Sequence, residues 1–239
     1  MWNSPQALNR ASSTAFALAM LMLLAVLIWR TANLELFAVR GIDVVGDVSH
    51  VTREQIETIA QRELRGTFFT VDLRGAQTAF EKLPWVRQVD LRRRWPNRLE
   101  VAIQEHRELA RWGNTALVNH HGETFEGASN KRLPVFEGPE GSSSEVARNY
   151  LHFNRSLAMI GRRVDSIELS ERRAWRLRLD DGTVIELGRD GVVGRLRAFV
   201  TAYGRSVAQL QGRTVYVDLR YANGFAVRVN DIKRSETRV

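Results

Sequence analysis

The pattern of apolar and polar positions divides the chain into one long apolar run and many short periodic segments. Residues Thr14 to Trp29 carry no charged side chain. A helix rises ~1.5 Å per residue, so a helix from Ala11 to Trp29 is roughly 28 Å long, close to the ~30 Å hydrocarbon core of a bilayer. A cleaved secretory signal is the alternative, but its apolar region is usually about 7 to 15 residues long and ends at a small-x-small site, which is missing after Arg30. The run therefore predicts a retained transmembrane helix over residues 14–30.

The charges on either side of this run do not decide its orientation. The tail, residues 1–13, carries Arg10, and the other side carries Arg30 and Arg40, which is nearly balanced under the positive-inside rule. The absence of cysteine suits an oxidising compartment but also occurs in the cytosol. The much greater length on the C-terminal side favours a cytoplasmic tail and an external bulk.

The segment from residue 37 to residue 105 has the pattern β-α-α-β-β. Apolar positions from Phe37 to Val44 predict a strand. Thr52 with Gln55 forms a capping-box pattern for a first helix with Gly66 at its end, and Asp72 is placed to cap a second helix that Pro84 stops. Two alternating strands joined across Pro96-Asn97 follow.

Residues 106–230 form a second module that is richer in strands. Ser144 is placed to cap a helix that ends at Gly161. Alternating residues on both sides of Asp181-Gly182 predict a hairpin, and the same pattern around Asn223-Gly224 predicts a last hairpin with strands reaching Tyr221 and starting at Phe225. Residues 231–239 are predicted to be disordered. The fold class is α+β: one transmembrane helix, a β-α-α-β-β domain, and a mixed β-sheet domain with helices.

Composition and charge change this picture little. The 239 residues have 44% apolar content and a net charge of +8, which permits real cores and raises the question of nucleic-acid binding. The basic residues are scattered, however, and the one dense cluster, Arg92-Arg93-Arg94, lies in a predicted strand. Weak attraction to anionic lipid or a cell-wall polymer fits better than nucleic acid. The tryptophans at 85, 95, 112 and 175 are predicted to pack in cores and sheets.

Candidate chemistry is weak along the whole chain. His120, His121 and Glu123 lie in a predicted polar turn, where neighbouring side chains do not converge on a metal ion. The pair Asp180-Asp181 adjoins a turn glycine, and Glu105 has no sequence partner at a catalytic spacing. No nucleophile or phosphate-binding motif is present. The sequence predicts a protein that is not an enzyme and carries no metal or cofactor.

Several motifs, in order along nearly the whole chain, resemble the FtsQ/DivIB family of bacterial division proteins. The first module is similar to their POTRA domain, and the second to their β domain. The motifs are Leu83-Pro84-Trp85-Val86, Arg94-Trp95-Pro96, Ala110-Arg111-Trp112, Arg172-Arg173-Ala174-Trp175, Leu187-Gly188-Arg189, Tyr216-Val217-Asp218-Leu219-Arg220-Tyr221 and Asn223-Gly224-Phe225-Ala226-Val227.

This resemblance implies a single-pass inner-membrane protein at the division septum, with its N-terminus cytoplasmic and its bulk periplasmic. It implies a non-enzymatic scaffold that links early division proteins to FtsB and FtsL through the β domain, and so to septal peptidoglycan synthesis. Other division proteins are expected at the POTRA domain and the membrane segment. A POTRA-containing component of protein translocation or assembly is one alternative, although such proteins normally continue into a barrel, for which this chain has no room. An anchored cell-wall enzyme is another, and it would need a cleft with perturbed carboxylates.

The last predicted strand is the candidate partner site. An edge strand without proline, whose one charge alternates with apolar residues, can accept a partner strand by β-augmentation. An interior hairpin is the competing interpretation, and the resemblance favours the edge and FtsB. The predicted partner-binding residues are Arg172, Arg173, Arg220, Tyr221, Asn223, Gly224, Phe225, Ala226, Val227, Arg228 and Val229.

Overall fold

A computed structural model describes residues 5–208, 214–221 and 224–230. The predicted disordered tail, 231–239, and the predicted turn residue Asn223 lie outside these ranges. The described residues form two compact units, with the boundary between His106 and Arg107, and each unit is described by itself.

The N-terminal helix α1 spans Pro5–Ala32. Its segment Ser12–Ala32 is 21 residues long, is apolar enough to cross a membrane, and is not buried against the rest of the chain. At ~1.5 Å per residue this segment is about 31 Å long, which matches the hydrocarbon thickness of a bilayer.

The rest of the first unit has the order β-α-α-β-β, and the predicted fold class is confirmed. Its sheet has the order β1-β3-β2, with β1 parallel and β2 antiparallel to the central strand. The elements are a short 3-10 helix (Glu35–Phe37), β1 (Gly41–Val45), α2 (Arg53–Glu63), α3 (Leu73–Glu81), β2 (Val86–Arg94) and β3 (Arg98–Glu105).

Both helices of this unit begin where the sequence predicts. The Thr52 hydroxyl accepts a bond from the Gln55 amide at 3.3 Å, and the Thr52 amide donates to the Gln55 side chain at 2.9 Å, so the capping box is confirmed. Asp72 accepts bonds from the first amides of α3. Such caps typically stabilise a helix by about 1 kcal/mol. The helices are held on the sheet by apolar contacts, in which Phe80 is completely buried.

Three predictions for the first unit are wrong. Phe37 lies in the 3-10 helix rather than in a strand, because its carbonyl accepts the Phe68 amide at 2.7 Å and the chain turns there. Helix α2 ends at Glu63, so Gly66 is too far along the chain to cap it. Trp95 is 78% exposed at the β2–β3 turn and so does not pack in a core.

The described residues of the second unit form one nine-stranded sheet with two helices. The strand order is β12-β11-β10-β9-β8-β7-β4-β5-β6, and the pairs β4/β7, β7/β8 and β10/β11 are parallel. The elements are β4 (Glu108–Trp112), β5 (Ala116–Asn119), β6 (Thr124–Glu126), β7 (Val135–Glu137), α4 (Ser143–Ala158), β8 (Val164–Leu169), β9 (Trp175–Leu179), β10 (Val184–Gly188), α5 (Val192–Ser206), β11 (Thr214–Asp218) and β12 (Ala226–Asn230).

The central strands have two different faces. On β9, Trp175, Leu177 and Leu179 are buried, while Arg176 and Arg178 between them are exposed. The buried side chains belong to the core that α4 and α5 complete, so this side is called the helix face and the opposite side the open face. Period-2 alternation made this hairpin predictable.

The start of α4 differs from the prediction by two residues. Ser142 occupies the N-cap position and Ser144 lies inside the first turn. The Ser142 hydroxyl donates to the Pro139 carbonyl at 2.6 Å, so it stabilises the preceding turn rather than the helix amides. The helix ends at Ala158, before Gly161.

Candidate protein-interaction edge

Strand β12 is the outermost strand of the large sheet. It is antiparallel to β11, with Thr214 opposite Asn230 and Asp218 opposite Ala226. Among the described residues it pairs with no second strand, so the backbone groups on its outer side have no ladder partner there. In an antiparallel strand these outward N–H and C=O groups belong to alternate residues. The geometry is that of an edge able to accept another strand.

The side chains of β12 continue the two faces of the sheet. Val227 and Val229 are opposite Val217 and Val215, which are buried on the helix face. Arg228 is opposite Tyr216 and lies on the open face. Val227 is still 36% exposed. The edge therefore offers apolar side chains on one side and a basic side chain on the other.

The chain after β11 is fixed by an ion pair between Asp218 and Arg220. The Arg220 guanidinium donates two bonds to the Asp218 carboxylate, at 2.9 and 2.6 Å, and the Arg220 amide donates a third at 3.0 Å. The hydrogen bonds from Arg220 lower the pKa of Asp218. The same pairing raises the pKa of Arg220. Arg220 is thus held in place beside the end of the edge strand.

This ion pair ends a row of charges across the open face. Glu168 on β8, Arg176 on β9, Glu186 on β10 and Asp218 on β11 lie opposite one another in register. Arg176 contacts both glutamates, at 2.9 Å and 2.5 Å, and its hydrogen bond to Glu186 is the main reason that its pKa is raised. The row holds four strands in a fixed register up to the edge.

The two strands of the last hairpin are shorter than predicted. Strand β11 ends at Asp218 rather than at Tyr221, and β12 begins at Ala226 rather than at Phe225, while the predicted turn residue Asn223 lies outside the described residues. Arg220 turns back onto Asp218, and the Phe225 ring packs edge-on against Phe199 of α5 with centroids 5.5 Å apart. Gly224 is exposed beside it. Tyr221 is exposed, while Phe225 is half-buried by its own domain.

Arg172 and Arg173 lie in the turn between β8 and β9. Arg173 has a φ of 61°, and its amide donates to the Ser170 carbonyl at 2.8 Å. Its guanidinium donates to Glu145 of α4 at 2.6 Å, which orients it, while Arg172 is exposed.

The β8–β9 turn lies at the sheet end where β11 finishes and β12 begins. Leu169 at the end of β8 pairs with Trp175 at the start of β9, and Trp175 in turn pairs with Gly188 at the end of β10. Three strand spacings, about 14 Å, separate β9 from β12. The structure therefore brings the predicted residues of the two connections and the start of β12 to one end of the sheet, while Arg228 and Val229 continue along the edge strand away from that end.

The polar turns that raised metal or catalytic hypotheses are explained by local bonding. Asn119 accepts bonds from the amides of His121 and Glu123, and its own side-chain amide donates to the Glu123 carboxylate at 2.7 Å. Asp180 and Asp181 contact different arginines, at 3.7 and 3.1 Å. Within the described ranges, no three His, Asp or Glu side chains are grouped as a metal site would need.

A polar cluster in the first unit was missed from the sequence. Glu105, at the end of β3, accepts bonds from the amides of His50 and Val51, both at 2.9 Å, and from the Ser49 amide at 3.2 Å. Its side chain is 6% exposed, and it also contacts the imidazole of His50, which stacks on Trp85 at 3.6 Å. Burial alone would raise the pKa of Glu105, but the bonds from His50, Val51 and Ser49 lower it to about 2. More than fifty residues separate the partners, so no local motif predicts the cluster.

Two family models match the chain, one on each unit. The POTRA domain of the FtsQ type matches residues 37–106, and the C-terminal domain of cell division protein FtsQ/DivIB matches residues 110–220. Cell division protein FtsQ of Nitrosospira multiformis is 42% identical over 95% of this chain and 99% of its own length. The chain belongs to the FtsQ family of cell-division proteins. The FtsQ proteins of Burkholderia pseudomallei (40% identical) and Neisseria gonorrhoeae (34% identical) each match 95% of the chain, over 94% and 95% of their own lengths.

Membership of the FtsQ family confirms the resemblance seen in the motifs. The family match of the second unit ends at Arg220, two residues after β11 and before β12 begins. The geometry of the edge strand is therefore independent information about how this member could bind a partner.

Proposed function

We propose that this protein is a non-enzymatic scaffold of the division machinery that captures FtsB on the free edge of β12. In this proposal α1 crosses the inner membrane at the septum, residues 1–13 are cytoplasmic, and both folded units are periplasmic. Capture of FtsB, together with FtsL, links early division proteins to septal peptidoglycan synthesis. Other division proteins bind the POTRA domain, residues 37–105, and the membrane segment. The observation that carries the proposal is the outermost position of β12.

The energy of such capture would come from the backbone first. An added strand could form about four main-chain bonds with the alternate outward groups of a five-residue strand, each contributing a net ~0.5–1.5 kcal/mol. Side chains at the same sheet end add specificity, because Arg172, Arg220 and Arg228 are exposed cations that suit an acidic partner segment. Tyr221 supplies an exposed aromatic ring.

The non-enzymatic part of the proposal is supported by how the polar groups are used. Arg176 contacts two glutamates on neighbouring strands, and Asp218 binds Arg220. Glu105 caps a backbone segment rather than lying beside a nucleophile or a base in a cleft. Each of these groups stabilises register or a turn.

The test is capture of a soluble periplasmic FtsB segment by the full chain in detergent, using proline substitutions in β12. Successive residues of a strand direct their amides to opposite sides, so one of Val227→Pro and Arg228→Pro removes an outward donor and the other removes a donor to β11. We expect both to abolish capture, because either substitution bends the edge. Thr124→Pro, on the edge strand β6 at the other end of the same sheet, is the matched control and should retain capture. Capture that survives both substitutions in β12 would refute augmentation at this edge.

The aromatic contribution is best tested at Tyr221. Tyr221→Ala should weaken FtsB binding by on the order of 1–3 kcal/mol without changing the stability of the domain, since the ring is exposed. Phe225→Ala should also weaken binding by on the order of 1–3 kcal/mol. It also removes the contact with Phe199, so a thermal melt must accompany it. Equal affinity for wild type and Tyr221→Ala would exclude that ring as an anchor.

A further inference from the structure

The connection between α1 and the first unit is held by specific bonds. The Thr67 hydroxyl donates to the carbonyl of Ala32, the last residue of α1, at 2.7 Å. This bond satisfies one of the carbonyls that a helix leaves unpaired at its C-terminus. The Phe68 amide donates to the Phe37 carbonyl at 2.7 Å, and Ala38 pairs with Thr67 in an isolated bridge. The loop around residues 66–71 is thereby fixed at the end of the helix.

Two further contacts bring the β2–β3 turn to the same end of the unit. The Arg93 guanidinium donates to the carbonyls of Phe68 and Val71, at 2.7 and 3.1 Å. The Arg40 amide donates to the Asn97 carbonyl at 3.0 Å. The 3-10 helix, the 66–71 loop and the β2–β3 turn are therefore neighbours at the end of the sheet that adjoins α1.

Large apolar side chains are exposed on all three of these segments. Leu36 on the 3-10 helix is 67% exposed, Phe69 on the loop is 51% exposed, and Trp95 lies on the turn. Phe69 is supported from behind by Phe37, with ring centroids 5.2 Å apart. We call Leu36, Phe69 and Trp95 the apolar rim. Such a grouping on one end of a small domain indicates a surface that meets another apolar phase.

We propose that the apolar rim inserts into the headgroup layer of the bilayer that α1 crosses, so that the first unit is seated on the membrane. This inference rests on the membrane insertion of α1 in the proposed function. Leu36 is four positions after Ala32, so their Cα atoms lie at most ~14 Å apart, and the Thr67 bond holds the loop directly at the helix end. The interfacial layer is where Trp and Phe are favoured, and apolar faces there enter about 5–10 Å.

The charges around the apolar rim suit a phospholipid surface. Arg40 and Arg65, which adjoin the 3-10 helix and the loop, are exposed, and Arg30 lies in the last turn of α1. Glu35 is the acidic residue within the 3-10 helix. Arginine side chains near a membrane surface are attracted to anionic headgroups by about 1 kcal/mol each. The combination of aromatic, aliphatic and cationic side chains commits the occupant to lipid rather than to a protein partner.

The experiment uses single cysteines, and because the chain contains no cysteine, no native cysteine has to be replaced first. Full-length Leu36→Cys and Phe69→Cys proteins are labelled with a polarity-sensitive fluorophore and reconstituted in nanodiscs of phosphatidylcholine and phosphatidylglycerol. Quenching by lipids that carry a nitroxide near the headgroup is then measured. Val45→Cys is the matched control, because Val45 is an exposed apolar residue at the opposite end of β1. We expect quenching at positions 36 and 69 to be several-fold greater than at position 45.

A fourth labelled position distinguishes the seating of the first unit on the membrane from the insertion of α1 into it. Leu24→Cys, in the middle of α1, should be quenched by a nitroxide deep in the acyl chains. If position 24 is quenched while positions 36 and 69 behave like position 45, the seating proposal is overturned and the membrane insertion of α1 stands. If position 24 is not quenched, the membrane topology in the proposed function fails. Shielding at 36 and 69 that needs an added division protein would also overturn seating on lipid.

Discussion

Replacing Glu105 by glutamine should destabilise the first unit and do so in a pH-dependent way. Glu105 accepts the amides of three consecutive residues, Ser49, His50 and Val51, which join β1 to α2. Glutamine has one acceptor oxygen and presents an NH₂ group to the other donors. Since the side chain is 6% exposed, the amides that lose their acceptor cannot all be hydrated.

The size of the effect follows from the pKa of the carboxyl group. A pKa lowered from 4.5 to about 2 in the folded state corresponds to about 3 kcal/mol of stability at neutral pH. Solvent around the partly exposed His50 screens part of this, so we expect a loss of about 2–3 kcal/mol for Glu105→Gln. Because the folded-state pKa is the lower one, this stability is fully present above about pH 4.5 and is lost as the pH falls towards 2.

The assay is urea unfolding of the full chain in detergent, followed by hydrogen exchange of peptides from β2 and β3. The difference in free energy of unfolding between wild type and Glu105→Gln should stay constant from pH 7 to about pH 4.5 and shrink from there to pH 3, because other carboxyl groups titrate alike in both proteins. Glu57→Gln is the control, since Glu57 forms an exposed pair with Arg53 and should cost less than about 0.5 kcal/mol. A difference that is constant with pH, or no larger than the control, would refute this account of Glu105.

Three further predictions concern packing and backbone geometry, each checked by chemical or thermal unfolding. Phe199→Ala should cost the second unit about 3–5 kcal/mol, since the ring is completely buried and supports Phe225. Asp72→Ala should cost the first unit about 1 kcal/mol by removing the cap of α3, and Asp72→Asn should restore most of that loss. Gly122→Ala should destabilise more than Gly182→Ala, because both have positive φ but a Cβ at 122 would lie 2.4 Å from the Ser144 backbone; equal losses would contradict the steric part of this reasoning.

The sequence predicted those elements whose signals are local. The capping box at Thr52, the Asp72 cap and the alternation around Asp181-Gly182 each depend on residues a few positions apart, and all three are found in the structure. Alternation of buried and exposed residues with period 2 strongly constrains the register of a strand, because a slip of one residue would place the arginines of β9 in the core.

Features made by long-range contacts were not predictable in the same way. The sequence pattern extends the strands of the last hairpin to Tyr221 and Phe225. In the structure Arg220 turns back onto Asp218 and the Phe225 ring packs against Phe199 of α5, so the strands end at Asp218 and begin at Ala226. Trp95 was predicted to pack because tryptophan usually does, yet it is exposed at the β2–β3 turn. At the candidate site the residue types were predictable, whereas the edge position of β12 depends on the order of the entire sheet.

The parallel pairing of β11 with β10 means that the last two strands of the large sheet are added after the others. A parallel neighbour can be reached only through a crossover, and here α5 provides it, so β11 and then β12 join after the other strands have been supplied by the chain. A chain that ends after α5, through a stalled ribosome or a protease, would have β10 as its edge strand. It would also lack the ion pair between Asp218 and Arg220. In the proposed function such a chain would lack the strand that captures FtsB, so it would not recruit FtsB.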